Sequence, residues 1–221
     1  MRWTNEERWD DAIQVAAGNH GIPADLIRAI IATETQFRPN AVRQEPAIKD
    51  ASIGLMQILY GTAKGEGYAG IVGDPRLLSG LYDPFTNITF GASYLSRMYY
   101  RANEDVARAM SAYNGGWRPE LGFGTKATKP LTVCIARDQT TGKCIRTRAV
   151  KAGEFGNQPY VDATLANYQY FRSKTPGVIT PPLTPANHNE PQTDWRVSGA
   201  THRTLWTQVW ETIMRILLWF K

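Results

Sequence analysis

Glu34 is the residue of this chain whose type and position best suit proton transfer. It lies four residues after Ile30 and eight after Leu26, so it projects from the apolar face of a helix near that helix's carboxyl end. A dry neighbourhood and the negative end of the helix dipole both disfavour the ionised form. The side chain is therefore expected to keep its proton above the ordinary carboxylate range and to act as a general acid near neutral pH. Position alone equally admits a Glu at a helix end that reaches solvent or pairs with Arg38. Other chemistries lack their minimum parts. The three histidines, His20, His188 and His202, are scattered, and there is no His-Glu-x-x-His pair or Gly-rich phosphate loop. No metal and no cofactor is expected.

The elements that must position Glu34 are mostly helical. Thr4 and Glu7 have capping-box spacing, and Trp9, Ile13 and Ala16 then recur at helical intervals until Gly18 and Gly21, which predicts a first helix. Pro23 suits the first turn of a second helix, whose face of Leu26, Ile27, Ile30 and Ile31 runs to the break at Phe37-Arg38-Pro39. Asp83 before Pro84 starts a third, with Ile88, Leu95 and Tyr99 on one stripe, and a fourth runs from about Glu104 to Tyr113, ended by Gly115 and Gly116. A last periodic stretch, YVDATLANYQYF, places Tyr160, Val161, Thr164, Leu165 and Tyr168 toward a core.

Residues 118–151 lose that periodicity. The run LTVCIARDQTTGKCIRTRAV has β-branched residues on both sides of a turn-rich centre and predicts a β-hairpin insertion. Eight Lys or Arg against Glu120 and Asp138 in this region account for the whole-chain charge of +5. They suit the phosphates of a bacterial envelope; no nucleic acid is expected, because no recognised binding motif accompanies them. Cys134 and Cys144 flank the hairpin centre symmetrically about Gln139, so they are either a disulfide across two facing strands or two free thiols.

From 174 to 203, prolines among Thr, Asn and Gly form a linker, and 204–221 form an amphipathic anchoring helix. Its apolar side includes Leu205, Trp206, Val209, Trp210, Ile213, Met214, Leu217 and Phe220. That stretch is short for a bilayer span and suits a membrane interface or a groove of a partner protein. The opening MRWTNEERWDD is charged where a secretory signal would need an apolar stretch, so export by that route is not expected.

The motifs ETQFRPNAV, SIGLMQILYGTA, LYDPFTNITFGASYLSRMY, AMSAYNGGW and QPYVDATLANYQYF occur in one order. Over about residues 5–173 that series resembles the catalytic domain of the soluble lytic transglycosylase family (SLT, glycoside hydrolase family 23), lysozyme-like enzymes that cleave peptidoglycan glycan strands. The resemblance implies a mainly α, lysozyme-like domain over 1–173, interrupted by the basic hairpin. It matches the family's catalytic acid to Glu34 and its Gly-Leu-Met-Gln motif to Gly54, Leu55, Met56 and Gln57. Its Ala-Tyr-Asn motif falls on Ala112, Tyr113 and Asn114, and its late tyrosine on Tyr160. Met56, Gln57, Tyr113, Asn114 and Tyr160 are accordingly the expected substrate-binding residues. Core packing is compatible with a binding role for Met56 and Tyr113, whereas Gln57 and Asn114, flanked by apolar residues, are expected as buried, sugar-facing amides.

Two departures from the family pattern stand out: Thr35 replaces the usual Ser after the acid, and a longer, charged stretch with Arg43 in place of a groove-facing Ser precedes Gly54. That insertion is expected to be irregular and solvated. The implied chemistry uses one carboxylate, with Glu34 protonating the leaving oxygen and then deprotonating the sugar's own 6-hydroxyl, which yields 1,6-anhydroMurNAc ends. Asp50 or Glu45 serving as a base for water would instead make a hydrolytic muramidase or endolysin, and a wall-binding virion structural protein is the non-enzymatic alternative. Since a wall enzyme without an export signal must reach its substrate by another route, the sequence reading favours a phage virion component that acts in the host periplasm and cell wall.

Overall fold

The computed structural model describes residues 2–63, 80–138 and 140–174. They form a mainly α domain. Helix α1 (Asp10–His20) ends on left-handed Gly21, and α2 (Ala24–Thr35) starts directly after Pro23, whose fixed φ suits a helix entry. A small antiparallel sheet follows, with β1 (Val42–Glu45), β2 (Asp50–Ile53) and β3 (Ile58–Leu59) in that spatial order, and a single helical turn, α3 (Tyr60–Ala63), leaves it. Helix α4 (Pro84–Arg101) is capped by Asp83, which accepts the Thr86 N–H at 2.8 Å, and α5 (Val106–Gly115) by Asp105, which accepts that of Arg108 at 3.0 Å. The hairpin of β4 (Leu131–Arg137) and β5 (Cys144–Val150) precedes α6 (Gln158–Lys174).

The core lies where α2 packs on α6 and where α1 packs on α2 and α4. Ile13, Leu26, Ile27, Ile30, Ile31, Ile88 and Leu95 are fully buried there. α5 joins α4 to α6 and closes the domain. On α6 the buried stripe is Val161, Thr164, Asn167 and Phe171, while Tyr160, Leu165 and Tyr168 are partly buried at its margins. Among the described residues, no helix is long and apolar enough to cross a membrane.

Several expectations are corrected. The first helix does not start at the Thr4–Glu7 spacing; it begins at Asp10, and Trp9 at its cap position makes no side-chain cap bond. Glu6 organises the segment before it. This carboxylate is 3% exposed and accepts the N–H groups of Arg2 and Trp3, the Tyr170 hydroxyl and the Lys174 ammonium. A buried carboxylate with a cation and several donors outweighs a solvent-exposed cap worth about 1 kcal/mol.

The charged insertion is ordered rather than irregular. Val42, Arg43, Gln44 and Glu45 pair with Ile53, Ser52, Ala51 and Asp50 around a short 3-10 turn at Pro46–Ile48. Because three of the four β1 residues are exposed, the strand has no apolar alternation and is held by backbone pairing, not by a buried face. In the second hairpin Cys134 and Cys144 form a disulfide, with Cα atoms 5.8 Å apart. They are not opposite each other: Cys134 faces Thr147 and Cys144 faces Arg137, because the ladder slips between Cys134 and Arg137. The proposed linker, apart from Lys174, and the terminal amphipathic helix lie outside the described residues.

One buried side chain fixes the sheet to the helices. Asn87 on α4 is fully buried; its Oδ1 accepts the Met56 N–H at 2.8 Å, and its Nδ2 donates to the carbonyls of Ile53 at 2.8 Å and Leu81 at 2.9 Å. Gly54, at φ +74°, lets the chain pass so closely that an added Cβ would lie 2.3 Å from Asn87 Nδ2. Replacing Asn87 with Ala leaves buried donors and acceptors unmatched, each costing about 1–3 kcal/mol. Asn87→Ala is expected to lose about 3 kcal/mol or more in urea unfolding, and a loss below about 1 kcal/mol would contradict this role.

Candidate active site

Glu34 occupies the last turn of α2, one residue before its end. The helix stops because Gln36 and Phe37 both adopt left-handed backbone conformations, at φ 54° and 62°. Such a φ is unfavourable for a bulky residue, and packing compensates for it. Phe37 is fully buried, with Trp3 at 5.7 Å and Phe171 at 6.0 Å between ring centroids. Thr35 ties this helix end to the next segment, since its buried hydroxyl lies 2.9 Å from the Leu55 carbonyl and 3.1 Å from that of Ile31. The threonine thus keeps the hydroxyl function of the serine that the family pattern places there.

The 54–57 turn is held from three further sides. The Gly54 N–H donates to the Ala41 carbonyl at 2.8 Å, Asn87 holds the Met56 N–H, and the Tyr113 hydroxyl of α5 donates to the Met56 carbonyl at 2.8 Å. Met56 takes the core-packing role that the sequence left open to it. Its side chain is fully buried against Gly91 of α4, where an added Cβ would lie 2.4 Å from Sδ, so it supports the site from beneath and offers no surface to a ligand. Gln57, at φ 48°, is partly buried, and its Nε2 donates to the carbonyls of Gly54 at 3.0 Å and Ala41 at 3.2 Å. Its amide nitrogen therefore braces the turn, and its carbonyl oxygen has no partner among the described residues.

Tyr160, in the first turn of α6, donates its hydroxyl to Glu34 Oε1 at 2.8 Å. Asn157 sets its position, although the sequence reading missed this residue. Asn157 Nδ2 donates to the Ser111 carbonyl at 3.0 Å and to Asn114 Oδ1 at 2.9 Å, its Oδ1 accepts from Ser111 Oγ at 2.8 Å, and its backbone carbonyl accepts the Tyr160 N–H. A place just before a helix marks a possible cap, but the bonds of this side chain to Ser111 and Asn114 follow no local pattern. Asn114 is a correction to the sequence reading: it is exposed, and Asn157 takes up its oxygen, so it is not a buried amide.

Burial is the largest influence on Glu34 and pushes its pKa up from the ordinary 4.5. The Tyr160 hydrogen bond and the positive charge of Arg43 oppose that shift, and the negative charge of Glu45 adds to it; burial prevails. Both phenols stay neutral, because burial and then the proximity of Glu34 hold Tyr113 and Tyr160 well above their ordinary range. With Tyr160 donating to Oε1, the carboxyl proton belongs on Oε2, which has no hydrogen-bond partner among the described residues.

Arg43 and Glu45 form an ion pair at 2.6 Å on β1, and Ser52 Oγ lies 3.4 Å from the same Glu45 oxygen. Asp50 is engaged elsewhere, accepting the N–H groups of Ala51 at 2.7 Å and Gly61 at 2.9 Å. A separate cleft lined by Glu6, Asp10, Arg28 and Lys174 shares no residue with this cluster, and its carboxylates Glu6 and Asp10 are matched by Lys174 and Arg28. Among the described residues no group of three or more His, Cys, Asp or Glu is placed to hold a metal ion.

Comparison with known proteins places the arrangement in a family. The family model described as "Transglycosylase SLT domain" matches residues 11–122, about half of the chain. "Membrane-bound lytic murein transglycosylase E" of Buchnera aphidicola subsp. Acyrthosiphon pisum is 36% identical over 131 residues, which cover 56% of this chain and 57% of that protein. "Membrane-bound lytic murein transglycosylase C" of Photorhabdus laumondii is 36% identical over 113 residues, 47% of this chain and 30% of that one. The chain thus matches little more than half of the first relative's length and under a third of the second's. Among solved structures, an inactive mutant of the lytic transglycosylase Slt from Pseudomonas aeruginosa shares the fold, with a TM-score of 0.53 at 23% identity over 78% of this chain and 25% of that one.

A raised carboxyl pKa in the folded state has a stability consequence whose sign is fixed. Below 4.5 both folded and unfolded chains hold the proton; above it the unfolded chain releases the proton first, so stability falls as pH rises toward the folded pKa. Glu34→Gln removes that loss. Its melting temperature relative to the unaltered protein is expected to rise between pH 4 and pH 8, and a difference independent of pH would contradict the assignment.

Proposed function

The chain belongs to the transglycosylase SLT domain family, and from that premise we propose that it is a peptidoglycan lytic transglycosylase. It cleaves the β-1,4 bond between MurNAc and GlcNAc and leaves 1,6-anhydroMurNAc ends. The observation that carries this reading is a single half-buried carboxyl, Glu34, whose pKa burial raises and whose one oxygen Tyr160 holds. Its free oxygen protonates the leaving glycosidic oxygen. As the bond breaks, the muramic acid's own 2-acetamido group stabilises the oxocarbenium-like centre. The new Glu34 carboxylate is stabilised by the Tyr160 hydroxyl and then removes the proton of the sugar's 6-hydroxyl, which closes the anhydro ring.

That intramolecular hydroxyl competes with water at an effective molarity that can reach about 10⁵ M or more. Neither candidate base for water is free to compete. Asp50 accepts two backbone N–H groups, and Glu45 is held in an ion pair with Arg43. The Gln57 oxygen and the exposed Asn114 amide are the polar groups available to sugar substituents. The setting is a further part of the proposal: the amphipathic pattern of 205–220 suits attachment to a membrane interface or to a virion protein, and so an enzyme carried by a phage particle that opens the host wall locally.

Digestion of purified sacculi followed by mass spectrometry tests the chemistry. Muropeptides lighter by one water than reducing-end products are expected, and predominantly hydrated products would overturn the reading. Glu34→Gln is expected to slow cleavage by about 100-fold or more, whereas Asp50→Asn should retain most of it.

A further inference from the structure

The far half of the β4–β5 hairpin carries an exposed cluster that the glycan chemistry does not use. Residues 129–151 contain six Lys or Arg and one acid, Asp138. Asp138 is committed to the turn, where its Oδ1 accepts the N–H groups of Thr140 and Thr141 and the Thr141 hydroxyl. Only Arg148 among the six has a carboxylate partner within the described residues, Glu154 at 3.0 Å. Among the described residues Arg137 donates to the Gly142 carbonyl and has no ion pair, and Lys143 and Arg146 are exposed without one. The same half of the hairpin carries two large apolar side chains in water, Ile135 at 46% and Ile145 at 66% exposure. The root of the hairpin is anchored, since Val133 and Val150 are buried with Ala127.

We propose that the Arg137, Lys143, Arg146, Ile135 and Ile145 cluster docks the domain on the surface of an anionic phospholipid bilayer. Cations alone would suit any polyanion. The exposed isoleucines select the bilayer, whose interface offers phosphates at headgroup level and an apolar layer just beneath, whereas the backbone of a nucleic acid or a phosphate-rich wall polymer offers the first without the second. The Cys134–Cys144 disulfide closes a separation of ten residues, so the cluster is ordered before it docks and little conformational freedom is lost on binding. This surface is distinct from the segment 205–220, and its assignment does not depend on which glycan product the enzyme forms.

The test must isolate the hairpin, because 205–220 is itself a candidate membrane anchor. The full chain is mixed with vesicles of phosphatidylglycerol and phosphatidylethanolamine, or of phosphatidylcholine alone, and amide hydrogen exchange is followed over 131–150. Slowed exchange on anionic vesicles only is expected. Arg137→Gln, Lys143→Gln and Arg146→Gln together should weaken that protection about 100-fold in lipid concentration, at about fivefold per charge. Ile135→Ser with Ile145→Ser should weaken it without removing charge, and both variants should keep the unaltered melting temperature and glycan cleavage. Vesicle-bound protein with unaltered exchange over 131–150 would overturn the proposal, as would failure of the full chain to bind the vesicles. Protection by duplex DNA or by sacculi but not by vesicles would assign the cluster to another polyanion and overturn it equally.

Discussion

A carboxyl group that must keep its proton in neutral water and still reach a substrate sets the main constraint on this fold. Full burial would keep the proton but bar the glycan, and full exposure would lose the proton. Glu34 lies between those extremes, half-buried at a helix end, with one oxygen bonded by Tyr160 and the other without a partner among the described residues. Burial raises its pKa, and the Tyr160 phenol that opposes this shift is placed to stabilise the carboxylate form. In the proposed mechanism the same contact serves both halves of an acid-then-base cycle.

That placement depends on parts far apart in sequence. Thr35 joins the end of α2 to Leu55, Asn87 and Tyr113 hold Met56 from α4 and α5, and Asn157 sets the start of α6 so that Tyr160 meets Glu34. Each link is a buried or half-buried polar group with its partners satisfied, which is what makes the geometry specific rather than merely compact. β1 brings the Arg43–Glu45 pair close enough for both charges to act on Glu34, in opposite directions. The charged insertion thus acts on the Glu34 pKa electrostatically.

The sequence made the helical frame legible because Leu26, Ile27, Ile30 and Ile31 repeat at helical spacing and Asp83 and Asp105 mark helix starts with caps. Glu34 stood out as a carboxylate on that apolar face. The three-stranded sheet did not, because the exposed β1 residues carry no alternation and are held by backbone bonds alone. Asn87 and Asn157 were hidden for a related reason. An Asn within or just before a helix reads as a polar surface residue, and its importance lies in partners at positions 53, 56, 81, 111 and 114 that no local pattern encodes. Met56 and Asn114 were placed by motif likeness, which matches positions but not the direction a side chain takes: one is buried beneath the turn and the other lies exposed.

The central claim is that burial, moderated by two opposed charges on β1, holds the Glu34 carboxyl above its ordinary pKa. Carbon-detected NMR titration of the glutamate side-chain carboxyls, with the Glu34 signal assigned by its loss in Glu34→Gln, measures that pKa directly. The account predicts a midpoint clearly above 4.5, moved higher by Arg43→Gln and lower by Glu45→Gln. A midpoint at the ordinary glutamate value, unmoved by either substitution, would contradict it.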